Sequence, residues 1–293
     1  MHVLSRPRPD RRRTAARSLV AAGALVVLTG CSSDSLSRGF LPEGVTEDSP
    51  RIISLWNGAW ITALAVGALV WGLTIWCVVA YRKRKDDTEL PEQLRYNLPM
   101  EILYTVVPLM MVGVLFYYTA RDETAILDVS QEPDNVVNVV GKRWAWDFNY
   151  ITDNAYESTI QVDPADVKVG ELPTMYLPVN ERTEFVLTAR DVNHSFWVVQ
   201  FLVKQDMIAG KVNEIQVTPT QTGTFTGKCA ELCGPYHSEM LFQVKVVERA
   251  EYVALIAGLK ARGQEGSLPN SLNPSDLEPG QLEQDPTREG GTS

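Results

Sequence analysis

Two long apolar runs, 52–81 and 98–119, restrict this chain more than any other feature. A helix rises about 1.5 Å per residue, so the first run crosses a hydrocarbon core of about 30 Å with some tilt and the second is just sufficient. Between them lies Arg82-Lys83-Arg84-Lys85, a basic cluster that the positive-inside rule assigns to the cytoplasm. Everything after Thr119, and the segment before the first run, then lies on the outer side. Asn57, Thr62 and Thr74 are the only strongly polar interruptions of the first span, so the helices line no conduction path by themselves. They read as an anchor packed on larger partners. Apolar residues gather in only three runs of the 293-residue chain, which excludes a polytopic transporter.

The remaining run, 18–30, follows Arg6, Arg8, Arg11, Arg12, Arg13 and Arg17 and is too short to span, which marks 1–30 as an export signal. It closes on Leu28-Thr29-Gly30-Cys31, a string similar to bacterial lipoprotein signals, in which the cysteine is lipidated and becomes the new N-terminus. Ordinary cleavage beside an incidental cysteine is the alternative. Removing this leader makes the chain more acidic than its formal −9. That balance argues against nucleic acid as a partner and for a cationic protein.

Glu101 lies one turn into the second span at its cytoplasmic end. A carboxylate at membrane depth is costly and points to function, but the same residue can snorkel at the boundary, favoured by the positive end of the helix dipole. The residues alone balance these readings.

Past an exported N-terminal segment (31–51) and the hairpin (52–119), residues 120–247 change pattern. Segments 136–140, 144–150, 175–179, 184–188, 195–199, 214–217, 223–228 and 241–247 are rich in Val, Thr, Phe, Tyr and Trp, with Asp163-Pro164, Gly170, Asn180 and Pro219 as punctuation. Short strands at this spacing, without long helices between them, predict an antiparallel sandwich or barrel. Residues 248–262 read as a short amphipathic helix with Tyr252, Leu255, Ile256 and Leu259 on one face. The acidic, Gly/Pro/Ser-rich stretch 263–293 reads as a disordered tail.

Cys77 lies in the first span, so behind the leader the exported part offers only His194, Cys229, Cys233 and His237 besides Cys31. Three of them, with Met240, form C-x3-C-x3-H-x2-M. Two thiolates, two imidazoles and a thioether make a soft donor set that suits copper, with one cysteine too many for a mononuclear blue site. Two thiolates can instead bridge two metal ions, each capped by one histidine. A disulfide between Cys229 and Cys233, a structural zinc site, or a Met240 that merely begins a strand are the alternatives. Of these, the disulfide leaves both histidines and the methionine unexplained.

On these residues the chain resembles subunit II of haem–copper cytochrome c oxidases over most of 50–250. The resemblance implies an α+β membrane protein, with a two-helix transmembrane hairpin followed by a cupredoxin-like β-barrel bearing a dinuclear copper A centre. It implies that Cys229 and Cys233 bridge the coppers, that His194 and His237 bind one each, and that Met240 and the Glu231 carbonyl are weak axial ligands. The Glu231 carboxylate would reach a magnesium ion at the interface with subunit I. The string Gly141-Lys142-Arg143-Trp144-Ala145-Trp146-Asp147-Phe148-Asn149-Tyr150 is similar to the family's aromatic box, usually G-x-Q-W-Y-W-x-Y, and departs from it at Arg143 and Ala145. Trp144 then falls where electrons arrive from cytochrome c, although its spacing from Trp146 alone suggests ordinary barrel packing. Glu101 would stand at the mouth of the K proton pathway. Asp191, with Glu123 and Asp128, would contribute to a docking field for a basic cytochrome.

The implied function is electron acceptance from a c-type cytochrome and delivery to haem in subunit I, for oxygen reduction coupled to proton pumping. The implied partners are oxidase subunits I and III and a c-type cytochrome, diffusing or held in a bc–oxidase supercomplex. The lipoprotein-like signal and acidic tail suit a Gram-positive or actinobacterial type. A thioredoxin-like copper chaperone would need strands alternating with helices. A quinol oxidase subunit would lack the copper ligands, and nitrous-oxide reductase needs many more histidines.

Overall fold

The computed structural model describes residues 33–84, 93–159, 162–163, 168–169 and 172–268. The expected export signal (1–30), Cys31, Lys85 and residues 269–293 lie outside these. Of the N-terminal unit, which ends at Pro42, a five-residue helix is described, α1 (Ser33–Ser37).

The second unit opens with a short stretch stitched onto the sandwich: Val45 donates its N–H to the Gln200 carbonyl (3.1 Å) and accepts from Thr220 (2.8 Å). It leads into α2 (Ser49–Ala80), which is followed by α3 (Leu98–Ile126), and both helices are long and apolar enough to cross a membrane. Proline stands in the first turn of each, where no intrahelical N–H is needed. Asn97 caps α3 by accepting from Met100 N–H (3.3 Å), and Glu101 reaches back to accept from Asn97 N–H (3.0 Å), a reciprocal cap that gives the Glu101 carboxylate a local partner. The third apolar run was expected to end at Thr119; α3 runs on to Ile126 because Arg121 and Asp122 are held there. Buried Asp122 accepts from Arg121 (2.8 Å) and from Arg51 of α2 (3.3 Å), which ties the helices together at that end.

Among the described residues twelve strands follow. β1 (Asn135–Lys142), β2 (Ala145–Tyr150), β3 (Ala155–Thr159), β7 (Thr183–Ala189) and β10 (Asn213–Val217) form one sheet in the order β10-β7-β1-β2-β3. β6 (Thr174–Pro178), β8 (His194–Val198), β9 (Lys204–Met207), β11 (Gly223–Cys229) and β12 (Leu241–Val247) form the other, in the order β6-β12-β11-β8-β9. β4 (Val162–Asp163) and β5 (Lys168–Val169) make a small ribbon. The core between the sheets centres on Phe242, whose ring stacks on Phe196 (5.3 Å) and touches Trp146 (4.9 Å) and Phe148 (5.5 Å). Gly227 faces Phe242 across the β11–β12 ladder, and any side chain there would run into that ring.

The two-sheet fold agrees with the expected cupredoxin-like class, but the pairing is not antiparallel throughout. β1 pairs with β7, and β12 with β6, in parallel. Alternating apolar residues report which face of a strand is buried and say nothing of its direction; long connections through the opposite sheet allow parallel neighbours. Edge strands β3 and β9 were not expected, because Lys204-Gln205-Asp206-Met207 carries too few apolar residues to read as a strand.

The tail also differs from expectation at its start: residues 263–268 form an ordered strap. Tyr156 N–H donates to Gln264 O (3.0 Å), Gly266 N–H to Asn154 O (3.0 Å) and Leu268 N–H to the Asn149 side chain (2.8 Å). Main-chain bonds and a side-chain amide hold the strap, so its lack of apolar residues does not prevent order. Helix α4 (Arg249–Ala261), close to the expected 248–262, packs Tyr252, Ile256 and Leu259 inward, and Tyr252 donates to Asp153 (2.5 Å).

Candidate metal centre

His194 opens β8 and Cys229 closes β11, and these strands pair antiparallel with Cys229 opposite Phe196. The ladder therefore joins the upstream histidine to the first cysteine. Cys233, His237 and Met240 follow on one loop before β12. Two backbone bonds staple its base: Cys229 N–H to Met240 O (3.0 Å) and Ala230 N–H to Ser195 O (3.1 Å). Inside, Gly234 adopts φ +132°, a conformation that side chains rarely take, and accepts from His237 N–H (3.1 Å).

All five expected side-chain donors meet. Cys229 and Cys233 are free thiols with sulfurs 3.9 Å apart. Each has its own imidazole: His194 Nδ1 is 3.7 Å from Cys229 Sγ, and His237 Nδ1 is 3.6 Å from Cys233 Sγ. Met240 Sδ, fully buried, lies 3.7 Å from Cys233 Sγ, and the Glu231 carbonyl lies 3.2 Å from Cys229 Sγ. The Glu231 carbonyl thus points inward while the residue is exposed, as is its neighbour Leu232.

Burial raises the Cys229 thiol, yet hydrogen bonds with His194 and with the Glu231 and Ser195 main chain outweigh it and hold the pKa at about 7. Burial and the adjacent Cys229 push Cys233 up to about 12. One thiolate forms readily and opposes the second, a conflict that a cation between the sulfurs relieves. Soft sulfur beside imidazole nitrogen is a donor set that fits copper.

Asp191 faces this cluster. Its carboxylate accepts from His194 Nε2 (2.9 Å), from Val192 N–H (2.7 Å) and from Arg143 N–H (2.8 Å), with Arg143 Nε at 3.5 Å. Burial alone would raise its pKa, but these donors hold it at about 2. Burial likewise disfavours charged His194, and its bonds to Asp191 and Cys229 overcome this, raising its pKa. With Nε2 donating to Asp191, Nδ1 is left to the sulfurs, so the carboxylate selects the tautomer a metal needs.

Trp144 was expected at the start of a strand; it sits instead with Arg143 in the two-residue turn between β1 and β2. That hairpin is fixed by buried Asp147, which accepts from Lys142 Nζ (2.6 Å) and from Ser158. The turn brings Trp144 against the cysteine loop, 4.8 Å edge-on from Tyr236. Trp146, by contrast, points into the core, 6.5 Å from the His194 ring. Glu101 stands in the first turn of α3, Glu123 in its last turn, and Asp128 accepts from Ser130 N–H (3.0 Å). The spacing of the motif gives Tyr236 no role of its own, although it lies inside the motif, beside His237.

The family model for the periplasmic domain of cytochrome c oxidase subunit II matches residues 135–247. The chain is similar to the probable cytochrome c oxidase subunit 2 of Streptomyces avermitilis, 47% identical over 91% of this chain and 93% of that relative. It is 34% identical to cytochrome c oxidase subunit 2 of Mycobacterium tuberculosis over 86% of each. Among solved structures, the periplasmic domain of cytochrome oxidase subunit II from Bradyrhizobium japonicum is 30% identical, covering 45% of this chain and 97% of that one at TM-score 0.40.

Proposed function

Because the chain belongs to the cytochrome c oxidase subunit 2 family, we propose that it accepts electrons from a c-type cytochrome at a dinuclear copper A centre and passes them to haem in subunit I. The observation that carries this reading is the pair of free thiols 3.9 Å apart, each with its own imidazole. A tetrahedral zinc site on Cys2His2 would leave buried Met240 without a role. In the copper reading His194, Cys229, Cys233, His237, Met240 and the Glu231 carbonyl would together hold the metal, which gives Met240 a role.

Bound copper supplies a one-electron couple shared between two nuclei. The chain supplies rigidity: the stapled loop and the Asp191-held His194 ring keep their positions whichever charge the centre carries. Trp144 takes the donor side of the loop, and the outward Glu231 carboxylate suits a magnesium ion at the subunit I interface. Glu101, in the first turn of α3 on the side of the basic Arg82-Lys83-Arg84 cluster, suits proton uptake from the cytoplasm. In this topology the copper domain lies outside, in line with an export signal that ends at a lipidated Cys31.

The test is EPR with metal analysis on the full-length chain in detergent, loaded with copper. The expected result is two coppers per chain and one unpaired electron split equally by both nuclei. A single copper, or a silent sample with Cys229 and Cys233 oxidised, would sink the reading.

Removal of the carboxylate behind His194 gives a second expectation. Asp191→Ala should weaken copper binding by about 10–100-fold, the usual effect of losing a hydrogen-bond partner of a metal-binding histidine. Competition with a chelator measures it, and unchanged affinity would show that His194 is oriented by its packing alone.

A further inference from the structure

We propose that Tyr236 is a positioning residue for electron uptake, its ring clamping the Trp144 indole onto the backbone of the cysteine loop at Gly234. The proposal rests on the reading that electrons arrive at Trp144.

The indole is held by the loop on two sides. On one, the Tyr236 ring meets it nearly at right angles, 81° between planes with centroids 4.8 Å apart, an edge-to-face contact favoured by the ring quadrupoles. On the other lies Gly234: a Cβ built there would stand 3.0 Å from Trp144 Cζ2 and 3.2 Å from Nε1, so the ring rests where a side chain would have been. Trp144 Nε1 is enclosed without a hydrogen-bond partner. No hydrogen bond from that nitrogen therefore fixes the indole, and its orientation depends on ring contacts.

Both contacts come from the metal-binding loop itself. Tyr236 is joined by a peptide bond to His237, whose Nδ1 lies 3.6 Å from Cys233 Sγ, and Gly234 follows Cys233 directly. The turn carrying Trp144 is in turn tied to the opposite histidine, through Asp191, which accepts from both Arg143 N–H and His194 Nε2. The backbone of Trp144 is thus referenced to His194 and its ring to His237. Asp191 sets where the turn stands, and Tyr236 sets which way the indole faces. In the step served, one electron leaves a ferrous c-type haem, which becomes ferric, and the copper pair gains it; Trp144 and Tyr236 stay neutral, and no bond or proton changes.

The experiment compares wild type, Tyr236→Leu, Tyr236→Phe and Trp144→Ala as full-length, copper-loaded chains in detergent. It reads the rate of reduction by a ferrous c-type cytochrome, the EPR spectrum and the reduction potential. The indole N–H resonance of Trp144, assigned by its loss in Trp144→Ala, is followed in the same chains without metal. Tyr236→Leu is expected to slow reduction several-fold and to shift or broaden that resonance while EPR and potential stay as in wild type, and Tyr236→Phe to restore both. Slow reduction in Trp144→Ala beside unchanged reduction in Tyr236→Leu would overturn this proposal alone. Unchanged reduction in Trp144→Ala would sink the uptake route and the proposal with it. An altered EPR spectrum in Tyr236→Leu would also overturn it, since Tyr236 would then be shaping the ligands. Tyr236→Met, of similar bulk but without an aromatic ring, is the second probe should the leucine variant fail to fold.

Discussion

Cys229→Ser is expected to abolish the shared-electron signal of the proposed copper pair and to leave at most one copper per chain. Each sulfur has one imidazole partner, and the two halves meet only across the 3.9 Å between Cys229 and Cys233. A serine hydroxyl is a hard, protonated donor and does not bridge two soft ions as a thiolate does. What survives is Cys233 with His237 and Met240, a one-cysteine set of blue-copper character. The EPR of the variant should therefore show splitting from a single nucleus. Two coppers with an undiminished shared electron in this variant would mean that Cys229 does not bridge.

Trp146→Ala is expected to cost about 3–5 kcal/mol of stability, the usual cost of removing a buried tryptophan from a packed core. Trp146 is fully buried and touches Phe242, Phe196 and the His194 ring, so the cavity would open beneath the metal centre. Against a total of about 5–15 kcal/mol for a domain, that loss removes much of the margin. Near-UV circular dichroism during thermal unfolding of the metal-free chain measures it. The neighbour two residues earlier gives the contrast: Trp144 is half-buried in a turn, and its replacement by alanine should leave the melt nearly unchanged. Equal losses of stability in the two variants would contradict the division of labour between them.

The alternating spacing of Trp144 and Trp146 does not distinguish their two places in the fold. Strand alternation puts residues 144 and 146 on one face, and the expected strand 144–150 carried both inward. The chain turns at Arg143 and Trp144 instead, pinned by Asp191 from a loop 48 residues away, and one tryptophan leaves the core for the cysteine loop. Asp191 is expected in a docking field beside His194, and the structure adds that its oxygens are engaged by His194, Val192 and Arg143. The contact between Arg143 and Asp191 has no local signature, because it joins residues 48 apart in the chain.

Features governed by covalent spacing were open to reading from the chain alone. The two spans follow from run length and the basic loop between them, and Cys229, Cys233, His237 and Met240 lie within one loop whose intervals already suit a metal. The tertiary structure decided what depends on partners across space: His194 meeting Cys229 through the β8–β11 ladder, the parallel pairings, the ordered strap at 263–268, and the Tyr236 ring against Trp144. Periodicity records that a side chain is buried, but which neighbour it is buried against is settled only when sheets pack, since many partners satisfy the same pattern and the close-packed core admits one.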